Sequence, residues 1–211
     1  MHGLRLPRVY ALTDVQLSSL SHVEQLQLLA LGGVSLVQLR EKQMSPLEFY
    51  EQAKAAVAVA ERSEVQLIIN DRVDVALATG AHGVHLGQDD LPPDAARKLL
   101  GATTIIGYST HNVDQALMAV KLPIDYLAIG PIFQTTTKTD TSPVLGLEGL
   151  RAVRRAIGEF PLVAIGGITH ANARMVIEAG ANSVAVISAL LSDPDRITEM
   201  TQSLIQSLPN G

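Results

Sequence analysis

Two short polar stretches, Asn70-Asp71-Arg72 and Gly87-Gln88-Asp89-Asp90, follow the apolar runs Leu67-Ile68-Ile69 and Gly83-Val84-His85-Leu86. Runs of that length read as strands covered on both faces, so the acids fall where each strand opens into a loop. The spacing from Asp71 to Asp90 suits a strand end, a helix, the next strand and its end, which brings two carboxylates to one mouth. Such a site suits magnesium, which takes few protein oxygens and keeps its other positions for water and phosphate. An Asp ahead of a helical run also caps it, so each carboxylate alone leaves capping and metal binding open.

Three further groups bear on chemistry. In Val37-Gln38-Leu39-Arg40-Glu41-Lys42, strand alternation sends Gln38 and Arg40 to one side and Leu39 to the other. An inward Arg fork suits phosphate oxygens and Lys42 adds a point charge. A solvated charge cluster is the bland alternative, but Gln38 inside an apolar run wants a partner. Gly166-Gly167 after Leu162–Ile165, and Ile187-Ser188 after the last strand, offer backbone N–H groups to an anion; a plain tight turn is the alternative. The long loop 131–146 carries Thr135, Thr136, Thr137 and Lys138, which can donate to phosphate. Ser109 and His111 invite a hydrolase reading, yet their spacing fixes no nucleophile and base, and no Gly-x-Ser-x-Gly elbow is present. His82 and His85 lack further nitrogen or thiolate ligands for zinc.

The elements that must position these residues alternate regularly. Strands are expected at 8–13, 35–39, 66–70, 83–86, 104–108, 126–130, 162–165 and 183–187. Helices are expected between them, at 18–31, 45–62, 73–79, 92–101, 113–120, 147–157, 171–179 and 194–208. Eight strand-helix units without a composition shift predict one (β/α)8 TIM barrel over residues 1–211. An open doubly wound sheet is disfavoured, because no Gly-x-Gly-x-x-Gly follows the first strand. In a barrel, function collects at the C-terminal strand ends, where nearly all of these polar residues fall.

Composition agrees. The 211 residues are 47% hydrophobic and 3% aromatic, so aliphatic side chains must fill the core. A net charge of −5 offers no general attraction to nucleic acid or anionic lipid, so any anion site is local. The absence of cysteine excludes disulfides and thiolate chemistry. No run resembles a signal peptide or a membrane span, and a cytoplasmic protein is expected. Two anion sites and a magnesium site in one mouth imply phosphorylated small-molecule substrates and a transferase that breaks a carbon–oxygen bond.

The chain resembles the thiamine phosphate synthase family over almost its whole length. The carrying segments are Tyr10-Ala-Leu-Thr-Asp14, Val37–Lys42, Ile69-Asn-Asp-Arg72, Gly83–Leu91 and Gly107-Tyr-Ser-Thr-His111. They continue with Gly130-Pro-Ile-Phe133, Thr135–Lys138, Ala164-Ile-Gly-Gly-Ile168 and Val186-Ile-Ser-Ala189. The resemblance implies joining a pyrimidine diphosphate to a thiazole phosphate by a dissociative, magnesium-assisted route. It implies that Gln38, Leu39, Arg40, Glu41, Lys42, Asn70, Ser109 and Lys138 hold the pyrimidine diphosphate, with Arg40, Lys42, Lys138 and Ser109 serving the chemistry. Asp71 and Asp90 would hold magnesium. Thr135, Thr136, Thr137, Gly166 or Gly167, Ile187 and Ser188 would hold the thiazole phosphate. The alternatives are a thiazole tautomerase of the same superfamily and a non-catalytic phosphate-ligand sensor. Oligomeric state stays open, with a homodimer among the expected arrangements.

Overall fold

The computed structural model describes residues 5–135 and 143–209. Eight parallel strands close into a barrel in sequence order: β1 Val9–Leu12, β2 Leu36–Leu39, β3 Gln66–Asn70, β4 Gly83–Leu86, β5 Ile105–Thr110, β6 Tyr126–Ile129, β7 Leu162–Ile165 and β8 Ser183–Val186. Closure is made by β1 against β8, with Val9 opposite Val184 and Tyr10 opposite Ala185. This is the (β/α)8 architecture expected from the alternation. The strands are buried almost throughout because one face packs inside the barrel and the other meets the helices.

The helices are α1 Val15–Ser18, α2 His22–Leu31, α3 Pro46–Arg62, α4 Val73–Thr79, α5 Pro93–Leu100, α6 Val113–Ala119, α7 Gly146–Ile157, α8 Ala173–Glu178, α9 Ser188–Leu191 and α10 Ile197–Ser207. Among the described residues none is long and apolar enough to cross a membrane. Local signals set their starts. Ser21 with Glu24, and Ser45 with Glu48, form reciprocal capping boxes, and Pro46 occupies the first turn of α3. Ala53, Ala56 and Ala60 on α3 are fully buried, and their small side chains let the helix lie close to the strands.

Three expected boundaries change. The helix expected over 18–31 begins at His22, because Ser18 ends a separate α1 that Ser19 closes in the left-handed region, and Ser21 then caps α2 afresh. The fifth strand runs on to Thr110, since Ser109 and Thr110 pair with Ala128 and Ile129. The last helix begins at Ile197, behind a separate 3-10 turn over Pro194–Arg196, and the one-turn α9 was not foreseen.

At the end of the barrel where the strands start, two arginines repeat one construction. Arg97 donates to the carbonyls of Gly101, Thr104 and Pro123 and to Asp125, 28 residues on. Arg154 donates to the carbonyls of Gly158, Phe160 and Gly180 and to Asn182, again 28 residues on. Asp125 and Asn182 in turn accept from the N–H groups of Ile106 and Leu162 at the strand starts. Carbonyls left over at helix ends and turns are thereby satisfied.

Gly107 is required by what fills the interior. A Cβ there would lie 2.0 Å from Tyr126 Cζ and 2.5 Å from His85 Nδ1. Both are buried side chains with no room to retreat. Gly107→Ala is therefore expected to cost about 1–3 kcal/mol or more through overpacking. A lower urea midpoint at unchanged slope would register it.

Candidate functional site

The open mouth is formed by the C-terminal strand ends, and its floor is polar. Tyr10, Leu12, Gln38, His85, Ser109, Ala128, Val163, Ile165 and Ala185 line a small hollow there. Gln38 finds the partner that its position demanded: its Nε2 donates to the Tyr10 hydroxyl at 2.8 Å. The Tyr10 and Tyr126 hydroxyls are 2.9 Å apart, Tyr126 meets His85 Nδ1 at 2.9 Å, and His85 Nε2 meets Ser109 Oγ at 2.8 Å. Burial pushes both phenols well above their ordinary pKa, so each keeps its proton to donate. With Gln38 donating first, the consistent run is Gln38 to Tyr10 to Tyr126 to His85 to Ser109. It leaves the Ser109 proton for a group in the mouth. Tyr10, His85 and Tyr126 were not singled out from sequence; the polar Gln38 within a buried strand was the signal that a partner lay across the barrel.

The two carboxylates meet as expected. Asp71 follows β3 in the left-handed region at φ 62°, and its carboxylate receives the Lys42 ammonium. Asp90 Oδ2 accepts the N–H of Gly87 at 2.7 Å. Burial raises the Asp90 pKa above the usual carboxylate value, and neighbouring Asp71 pushes it further the same way, against the Gly87 N–H and Lys42. Neither acid caps a helix. The residue ahead of α4 is Arg72 and that ahead of α5 is Pro92, and no side chain caps either helix. Two adjoining carboxylates, of which Asp90 has its pKa raised, fit a divalent cation, which would replace their mutual repulsion with attraction. No cluster of three or more acidic, His or Cys ligands occurs among the described residues, so a cation here would rely on water and substrate oxygens for its other positions.

Of the cations, Lys42 reaches this pair. Arg40 Nη1 lies 3.6 Å from Asp14 Oδ2, while Asp14 also caps α1 through the N–H groups of Gln16 and Leu17. Asn70 is buried at the end of β3, in register with His85. Two residues of the expected substrate segment turn elsewhere. Leu39 is fully buried and, by alternation with Gln38, faces the helices. The Glu41 carboxylate is taken up by the N–H groups of Lys42, Gln43 and Met44 and by His22.

Across the mouth, Thr135, Gly166, Gly167, Ile187 and Ser188 line a second hollow that shares Ile165 and Ala185 with the first. Gly166 and Gly167 have φ of 101° and 65°, and a Cβ on either would strike Pro131 or Phe133 and Gln134. Their absent side chains admit the segment after β6, whose Phe133 N–H bonds the Gly166 carbonyl. Thr136, Thr137 and Lys138 lie outside the described residues. His111 Nδ1 lies 2.7 Å from the Gly130 carbonyl oxygen, tying β5 to β6, and His82 Nδ1 accepts the Leu67 N–H away from His85. A hollow of about 520 Å³ opens at the opposite end among Arg5, Arg8, Ser35 and Gln66 and contains no candidate residue.

Comparison with known proteins finds relatives over nearly the whole chain. A family model described as thiamine monophosphate synthase matches residues 9–190. The thiamine-phosphate synthase of Koribacter versatilis is 50% identical over 210 residues, covering 96% of this chain and 98% of that one. That of Chloroflexus aurantiacus is 48% identical over 89% of this chain and 87% of its own. The thiamine phosphate pyrophosphorylase of Pyrococcus furiosus superposes with a TM-score of 0.86 at 36% identity, covering 95% of this chain and 94% of its own. Matches of this length and identity place the chain in the thiamine monophosphate synthase family, as one of its transferase enzymes.

Proposed function

We propose that the enzyme joins 4-amino-2-methyl-5-hydroxymethylpyrimidine diphosphate to 4-methyl-5-(2-hydroxyethyl)thiazole phosphate, releasing diphosphate, with magnesium held by Asp71 and Asp90. The observation that carries this reading is the carboxylate pair, which caps no helix and adjoins Lys42 at the mouth. Bound magnesium would supply positive charge to the diphosphate oxygens. Arg40, Lys42 and Lys138 gather the rest of that charge as the carbon–oxygen bond breaks and its electron pair leaves with diphosphate. Ser109 and Asn70 orient the pyrimidine, whose own amino group stabilises the cation left behind. The thiazole nitrogen then forms the new carbon–nitrogen bond. Backbone N–H groups near Gly166, Gly167, Ile187 and Ser188, with the threonines of 135–137, hold the thiazole phosphate. No protein nucleophile is required.

Diphosphate release should require magnesium and both substrates together, with thiamine phosphate as co-product. Release without the thiazole phosphate would replace this reading with a hydrolase. Tautomerisation of a thiazole carboxylate phosphate without any release would move the enzyme to the tautomerase branch.

A further inference from the structure

His22, on α2, is fully buried behind the loop that carries Arg40 and Lys42. Its Nδ1 lies 2.7 Å from Thr13 Oγ1 and its Nε2 lies 3.2 Å from Glu41 Oε2. Thr13 Oγ1 also accepts the Arg40 N–H at 3.3 Å, and the Thr13 N–H reaches the Gln38 carbonyl at 2.9 Å. Glu41 Oε1 gathers the N–H groups of Lys42, Gln43 and Met44. Four successive loop positions apart from Glu41 itself are thus tied through two side chains, and those two side chains are joined by one imidazole.

Protonation is consistent with this. Burial lowers the His22 pKa, with Glu41 working the other way, which favours a neutral ring. Such a ring accepts the Thr13 hydroxyl at Nδ1 and donates from Nε2 to Glu41. Burial would raise the Glu41 carboxyl, but the N–H groups of Gln43 and Met44, the His22 ring and the Lys42 N–H together hold it below the usual value. The carboxylate is therefore charged and occupied.

We propose that Thr13, His22 and Glu41 form a positioning brace that holds Arg40 and Lys42 at the diphosphate site without touching substrate. The inference rests on the proposed function, in which those two cations grip the diphosphate. Long cationic side chains on a loose loop must be ordered at each binding event, and a loop ordered beforehand removes part of that cost. Glu41 acts as the clasp of the loop, which accounts for an acid between two cations without giving it a ligand role.

The test uses the full-length enzyme and inorganic pyrophosphate as probe, titrated calorimetrically with magnesium present. Glu41→Leu should weaken pyrophosphate binding at least about tenfold and raise KM for the pyrimidine diphosphate, while KM for the thiazole phosphate stays within about twofold. Glu41→Gln, which keeps an acceptor for the loop N–H groups, should recover most of the loss. A general structural defect would shift both KM values together, and that result would overturn the brace. If Glu41→Leu fails to fold, Thr13→Val, of nearly the same size, carries the same comparison. Pyrophosphate binding equal to wild type in these variants would overturn the brace alone. No pyrophosphate binding by the wild-type enzyme would overturn the proposed function and the brace with it.

Discussion

Replacing Asp90 with Asn is expected to lower turnover by about a thousandfold or more, while the barrel stays as stable as before or gains slightly. The first half follows from the loss of one of two carboxylates that would hold magnesium, whose charge contributes several kcal/mol to stabilising a departing diphosphate. The second half follows from the Asp90 pKa. Burial and Asp71 raise it in the folded protein. A carboxyl whose folded pKa lies above its unfolded value favours the folded state most at low pH. That contribution fades as pH rises from the unfolded value through the folded one. At neutral pH the charged side chain is therefore a burden in the absence of metal, and Asn relieves it. The amide oxygen can still accept the Gly87 N–H. Thermal melts with and without magnesium decide the matter. Wild type should gain stability on adding the ion and lose that gain as pH falls toward the raised Asp90 value, whereas Asp90→Asn should respond to neither. A variant that still melts higher with magnesium would count against Asp90 as a ligand.

Tyr126→Phe is expected to have the largest effect on stability among single-atom deletions in the described barrel. Its hydroxyl meets both Tyr10 and His85 in the closed interior. Removing it leaves two buried polar groups without their shared partner, at a cost of about 2–4 kcal/mol. The ring keeps its volume, so packing does not account for the loss. Activity should fall as well, by about 10–100-fold, because His85, the partner of Ser109, no longer has a fixed proton arrangement. Urea unfolding and steady-state kinetics on the same preparation separate the two consequences. Unchanged kcat beside a lowered midpoint would confine the relay to stability.

Much of this was legible in the sequence because parallel strands and capped helices write their own signatures. The apolar runs located all eight strands, and the acids and cations at their ends defined the mouth. Boundaries failed where a single backbone conformation decides: Ser19 ends α1 in the left-handed region, and nothing in its side chain announces this. The polar floor was hidden for another reason. Tyr10 and Tyr126 each look like ordinary core aromatics, and their partnership exists only once β1 and β6 face one another across the barrel. Glu41 is a different case. Flanked by Arg40 and Lys42 it reads as part of a ligand site, while its carboxylate folds back on its own loop.

The paired arginines at the strand starts bear on how such a molecule can vary. Arg97 and Arg154 fasten separate stretches of chain, and the contacts of one share no residue with those of the other. Each therefore secures its own quarter of the wall, and a lesion in one leaves the other's register standing. Among the described residues, neither arginine reaches the loops at the open rim. They can be lengthened, exchanged or made selective for a new substrate without unfastening the frame, so the chain separates a durable chassis from a rim open to revision.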